Sequence, residues 1–148
     1  MLHKSRTVLR IGRVLARLHE RPEEPWTVAE LAKVAAMSRS AFSERFRSLV
    51  GEAPIRYLSG LRLARAARLL RSTDTTVAEV ARRVGYGSEE ALSRAFKLRF
   101  GAAPRAFRQR TRRLAAGRNS DGTSGDEPLD ETNAAREAEA KWREPPAG

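Results

Sequence analysis

Val8, Ile11, Leu15 and Leu18 recur at spacings of three and four, with Arg10, Arg13 and Arg17 between them. That period predicts an amphipathic helix over residues 5–20. The RPEEP stretch at 21–25 ends it, because each proline disfavours helix in the residue before it. From 27 to about 115 the helical period continues with short interruptions, and no alternating strand pattern of useful length appears. Phe42, Phe46 and Val50 form one inward stripe, and Leu92, Phe96 and Phe100 form another. Between them, residues 54–73 start with Pro54, well placed at a first helical position. Leu58, Leu61, Leu69 and Leu70, with Ala64, Ala66 and Ala67, make that segment mostly apolar, with Arg62, Arg65, Arg68 and Arg71 expected outside. Gly60 is out of place in a helix interior, where it costs about 1 kcal/mol against alanine. It serves either close packing or flexing there. The pattern predicts an all-α protein.

The chain also repeats itself. TVAELA at 27–32 returns as TVAEVA at 76–81. Each copy holds a T-x-x-E pair, Thr27 with Glu30 and Thr76 with Glu79. Such a capping box lets the threonine oxygen accept a first-turn N–H while the glutamate reaches back to the N-cap N–H. Turns AAMS (35–38) and GYGS (85–88) follow. SRSAFSERFRSLVG (38–51) then aligns with SEEALSRAFKLRFG (88–101), at an offset of 50 instead of 49. The second turn therefore carries one extra residue. Gly51, Pro54 and Tyr57 match Gly101, Pro104 and Phe107. A repeat of this length is poorly explained by chance.

Each unit reads as a short capped helix, a tight turn and a second helix with a polar outer face, which is the plan of a helix-turn-helix. Many helical hairpins have polar outer faces and bind nothing, so charge has to decide. Net charge is +11, unevenly placed. Residues 1–115 hold 25 Lys/Arg against 10 Asp/Glu, or +15; residues 116–148 hold 4 against 8, or −4. Of the 29 basic residues 25 are arginine, whose planar fork suits phosphates and guanine edges. A high-GC genome explains the Arg:Lys ratio but not the excess of positive charge. A body so charged meets a polyanion. A helix of about 18 residues over 54–73 is roughly 27 Å long, close to the roughly 34 Å between successive major-groove faces of B-DNA.

Other chemistry is poorly supplied. There is no cysteine, and the two histidines, His3 and His19, are too few for a protein-only transition-metal site. No metal or cofactor is expected, and no Gly-rich phosphate loop or Ser/His/Asp set supports an enzyme. No run of 18 apolar residues exists to span a membrane, and no apolar segment follows Lys4 and Arg6 as a secretion signal would require. The expected location is the cytoplasm. From Gly117 the sequence GRNSDGTSGDEPLDE is polar and reads as disordered, with a transient helix over 133–144 and Trp142 an incidental residue.

These segments together resemble the DNA-binding domain of the AraC/XylS family of bacterial transcription regulators. The resemblance is carried by TVAELA, SRSAFSERFRSLVGEAP, YLSGLRLARAARLL and TVAEVARRVGYGSEEALSRAFKLRFGAAPRAFR, from about Ile11 to Arg108. It implies about seven helices and two helix-turn-helix subdomains, at 27–51 and 76–101. A linker helix at 54–73 would join them, a final helix would cover 104–115, and a disordered acidic tail would occupy 116–148. It further implies a sequence-specific double-stranded DNA-binding regulator, more often an activator, that acts as a monomer on DNA with RNA polymerase as a further partner. Carried over by position, the base-facing residues are Ser40, Ser43, Glu44 and Arg47, then Glu89, Glu90, Ser93 and Arg94. Arg94 is the guanine reader, or else a phosphate clamp. Arg39, Arg45, Lys97 and Arg105 are expected on phosphates, and Arg47 suits either role. Three departures stand out. Glu44 lies where the family commonly has arginine, and either accepts from a cytosine amino group or pairs with Arg45 or Arg47. Ala36 replaces the turn glycine that unit two has at Gly85, which implies a looser or strained first turn. The sensor domain that usually precedes this one is not seen, so the chain is a standalone regulator or a piece of a longer one. A non-specific coating protein would need only the charge and not the duplication.

Overall fold

In the computed structural model, residues 2–120 are described, with side chains for 5–118. Seven helices make up this part: α1 (Leu2–Glu20), α2 (Val28–Val34), α3 (Arg39–Val50), α4 (Pro54–Ser72), α5 (Val77–Val84), α6 (Glu89–Phe100) and α7 (Pro104–Ser120). No strand occurs among the described residues. The last helix continues five residues past the expected boundary at 115, through Ser120, although Gly117 within that extension is a poor helix former. The tail beyond Ser120, including the helix expected over 133–144, lies outside the described residues. Two compact units divide within α4, one ending at Arg62 and the other beginning at Leu63.

In the first unit Ile11, Val14, Leu15 and Leu18 of α1 are buried, as are Leu31 and Ala32 of α2, Phe42 and Phe46 of α3, and Tyr57, Leu58 and Leu61 of α4. Gly60 is buried as well. Tyr57 packs edge-on against Phe46, with ring centroids 5.7 Å apart. Its hydroxyl lies 2.5 Å from His19 Nε2. Burial, and then the Glu52 carboxylate, push the Tyr57 hydroxyl up to about 12. Burial also lowers the His19 pKa from its ordinary 6.5, so the imidazole is held neutral.

The second unit repeats this arrangement. Leu63, Ala66, Ala67 and Leu70 of α4 pack with Val77, Val80, Ala81 and Val84 of α5, Leu92, Phe96 and Phe100 of α6, and Phe107 of α7. Phe107 stands edge-on to Phe96 at 5.1 Å, in the place Tyr57 takes in unit one.

Arginines hold the loops that lead into each unit. Arg62 was expected on the outside of its helix, but it donates from Nε to the Pro22 carbonyl at 2.7 Å and from a terminal nitrogen to that of Glu24 at 2.8 Å. The proline-rich loop leaves those carbonyls without helix partners, and a guanidinium on a long stem can satisfy two at once. Arg65 and Arg71 are also half-buried, so of that row only Arg68 is exposed. In unit two, Arg108 donates to the Leu70 carbonyl at 3.0 Å, and Arg112 reaches the Thr73 carbonyl and the Asp74 carboxylate.

The capping boxes form only by half. Thr27 and Thr76 accept from the Glu30 and Glu79 amides at 3.2 and 3.1 Å. Neither glutamate closes the box. The Glu79 carboxylate instead takes Arg82 and Arg83 on the next turn, and their hydrogen bonds hold it down at about 2.

After each first helix the chain makes the same turn. Met37 N–H bonds the Ala32 carbonyl and Ala36 N–H that of Lys33; Tyr86 N–H bonds Ala81 and Gly85 N–H bonds Arg82. This pair of bonds is a Schellman motif, whose penultimate residue must be left-handed. Gly85 has φ +94°, and Ala36 is forced to φ +53°. The two turns are therefore alike up to Met37 and Tyr86. The additional residue of unit two is Gly87, inserted before the Ser88 cap.

Left-handed backbone costs a non-glycine residue about 1–2 kcal/mol. Ala36→Gly should raise stability by about 1 kcal/mol once the extra chain entropy of glycine is subtracted. Gly85→Ala should lower it by a similar amount, and denaturant melts read both. His19 supplies a pH dependence. Its folded pKa lies below the unfolded 6.5, so the unfolded chain gains a proton first as pH falls. Stability should be full above about pH 6.5 and decline below it, and His19→Gln should flatten that decline in melts run from pH 7.5 to 5.5.

Candidate nucleic-acid interface

What α3 and α6 can do follows from how firmly their inner faces are held. Phe42, Phe46, Leu92 and Phe96 have no accessible surface. Ser38 and Ser88 cap the two helices, accepting from Ala41 N–H at 3.2 Å and Ala91 N–H at 3.1 Å. Gly51 and Gly101 end them in left-handed conformations, at φ +93° and +78°. The first-turn amides not taken by the caps have no partner within the helix, which suits them to an anion.

Opposite the buried stripe each helix presents a strip at spacings of four, three and one. On α3 it is Ser40, Glu44, Arg47 and Ser48, all exposed; on α6 it is Glu90, Arg94, Lys97 and Leu98, all exposed. Ser43 and Ser93 are half-buried at the edge of each strip. Arg39 is exposed in the first turn of α3. Arg45 is exposed too, but it projects about 100° around the helix from Glu44, off the strip.

Glu44 has two expected roles, pairing with a neighbouring arginine or accepting from a base. It makes no ion pair with Arg45 or Arg47 among the described residues, and an exposed pair of that kind gains little over solvation. Arg94, Lys97 and Arg47 likewise carry no carboxylate partner among the described residues. Glu89 and Arg105 behave differently, because the structure brings these two site residues together at 3.5 Å. Glu89 is half-buried and turned toward the start of α7.

Beside α3 an open groove of about 550 Å³ is lined by Ser43, Arg47 and Ser48 on one side and by Val28, Ala53 and Ile55 on the other. No group of three or more His, Asp or Glu side chains that could hold a metal occurs among the described residues. No described helix is long and apolar enough to cross a membrane.

Two strip residues, Ser48 and Leu98, went unmarked in the sequence. Each follows from adding four to a marked position, Glu44 and Arg94, but neither carries the charge or amide that draws the eye to a base-reading residue.

Comparison with known proteins gives a consistent result. Residues 31–110 match a family described as a helix-turn-helix domain. A putative AraC-like transcription regulator of Streptomyces lividans is 46% identical over 99 residues, covering 67% of this chain and 33% of the relative. The RCS-specific HTH-type transcriptional activator RclR of Escherichia coli (strain K12) is 40% identical over 106 residues, covering 72% of this chain and 37% of the relative. The chain thus spans about a third of the length of these curated relatives. The crystal structure of the DNA-binding domain of AdpA, a global transcriptional factor in complex with a target DNA, matches with a TM-score of 0.69 at 40% identity. That match covers 75% of this chain and 97% of that one.

Because α6 is seated through Phe96, Phe96→Ala should cost about 3–5 kcal/mol of stability. Arg94→Ala, fully outward, should change stability by no more than about 0.5 kcal/mol. Thermal melts of the two variants test whether the inner and outer faces separate in this way.

Proposed function

Since the chain belongs to the AraC-type helix-turn-helix family of transcription regulators, we propose that it binds double-stranded DNA sequence-specifically and regulates transcription, with α3 and α6 each entering a major groove. The observation that carries this reading is the outer strip of each helix, which bears charged side chains with no ion-pair partner among the described residues and lies opposite a buried apolar face.

Within it, Arg94 reads a guanine through O6 and N7, the commonest specific contact in the major groove. Glu90 and Ser93 flank it. Ser40, Ser43 and Glu44 read the other half-site, with Glu44 accepting from a cytosine amino group, the role left to a carboxylate that pairs with no neighbour. Arg39, Arg47 and Lys97 meet phosphates, as do the first-turn amides. Arg105 joins them by exchanging Glu89 for a phosphate, leaving Glu89 as the least direct of the base-facing set. Arg45 reaches a phosphate only at the groove wall. Like RclR, a named activator, the chain is proposed to activate, with RNA polymerase as partner, as a monomer on DNA and without a cofactor.

Selection from random duplexes tests the reading. It should enrich a two-part motif with parts about one helical turn apart, whereas enrichment without a motif leaves only charge-driven coating. On the selected duplex, Arg94→Ala should cost about 1–3 kcal/mol and relax preference at one base pair. Lys97→Ala should weaken all sequences alike and reduce the salt slope by about 1. Equal loss on specific and random DNA for Arg94→Ala removes its base-reading role.

A further inference from the structure

Leu98 is 91% exposed, against 66% for Leu9, 46% for Leu49 and 41% for Ile55. An exposed leucine on arbitrary surface calls for no account. This one lies on the outer strip of α6, one turn beyond Arg94 and next to Lys97, with the buried Leu92, Phe96 and Phe100 on the other side of the helix. It therefore adds nothing to the core. The equivalent position of α3 holds Ser48, so the fold does not require an apolar residue there.

The chemistry of the surface it would face is restrictive. Among the groups that base pairs present in the major groove, only the thymine C5-methyl is apolar. Residues i and i+4 are about 6 Å apart along a helix axis, which is one to two base-pair steps of 3.4 Å. We propose that Leu98 is a specificity-determining residue that packs on a thymine methyl one or two base pairs from the guanine read by Arg94. The second half-site then requires a thymine as well as a guanine. This inference rests on the placement of α6 in the major groove.

The test uses the full chain and the selected duplex. Each thymine of the second half-site is replaced in turn by deoxyuridine, which removes only the methyl. For the wild type, one such position should weaken binding about fourfold, the value of one buried methyl. For Leu98→Ser and Leu98→Ala the same replacement should have no effect, and both should bind the unmodified duplex at least about fourfold more weakly than the wild type does. 5-Methylcytosine at that position should bind the wild type more tightly than cytosine does. If no deoxyuridine position distinguishes the wild type from the Leu98 variants while Arg94→Ala still relaxes one base pair, the Leu98 assignment is overturned and the DNA reading stands. If the wild type shows no sequence preference at all, both fall.

Discussion

The edge-to-face contact between a phenylalanine of the second helix and an aromatic ring of the helix after it underlies each unit: Phe46 on Tyr57, and Phe96 on Phe107. A fully buried aromatic ring fixes rotation as well as depth, because turning the helix would drive the ring into its neighbours or open a cavity. With rotation fixed, the residues half a turn away are committed to solvent. The outer strips of α3 and α6 are consequences of that packing, and the caps at Ser38 and Ser88 set only where each strip begins.

The basic residues divide by what surrounds them. Where the backbone leaves carbonyls without partners, as in the loop before α2 and at the end of α4, Arg62 and Arg108 turn inward and satisfy them, and Arg112 reaches one from the surface. Where a carboxylate lies one turn away, as with Arg82 and Arg83 at Glu79, they pair with it. On the two strips Arg47 and Arg94 lie one turn from Glu44 and Glu90 yet form no ion pair with them among the described residues, and the cations face out. Net charge alone overstates the surface open to a polyanion, since part of it is consumed in building the fold.

The duplicated units are not chemically equivalent. Their turns share a Schellman motif, but Ala36 accepts a left-handed backbone that Gly85 adopts freely, and Gly87 adds a residue before one strip only. Glu44 and Ser48 stand where α6 has Arg94 and Leu98. Both strips carry a glutamate and at least one cation, but α3 adds two serines where α6 adds a second cation and a leucine. On the proposed reading the two half-sites therefore differ in chemistry.

The helices, the repeat, the one-residue slip and most of the strip were legible in the sequence, because helical period, caps and glycine turns are local properties of a few adjacent residues. The strained Ala36 was legible too, through its alignment with Gly85. What local pattern does not contain is which partner a long side chain chooses. Arg62 read as an outward cation and is a loop clasp; Glu79 read as half of a capping box and is bound to two arginines; Glu89 read as base-facing and lies beside Arg105. For Arg62 and Glu89 the choice depends on groups brought near by packing, 38 residues away for Arg62 and Glu24 and 16 for Arg105 and Glu89. For Glu79 it is a local competition, with the arginines three and four residues along its own helix. The sequence by itself determined where each helix starts, stops and turns its apolar face. Only the tertiary structure decided which charges remain free to meet another molecule, because that depends on distances between elements that no spacing along the chain encodes.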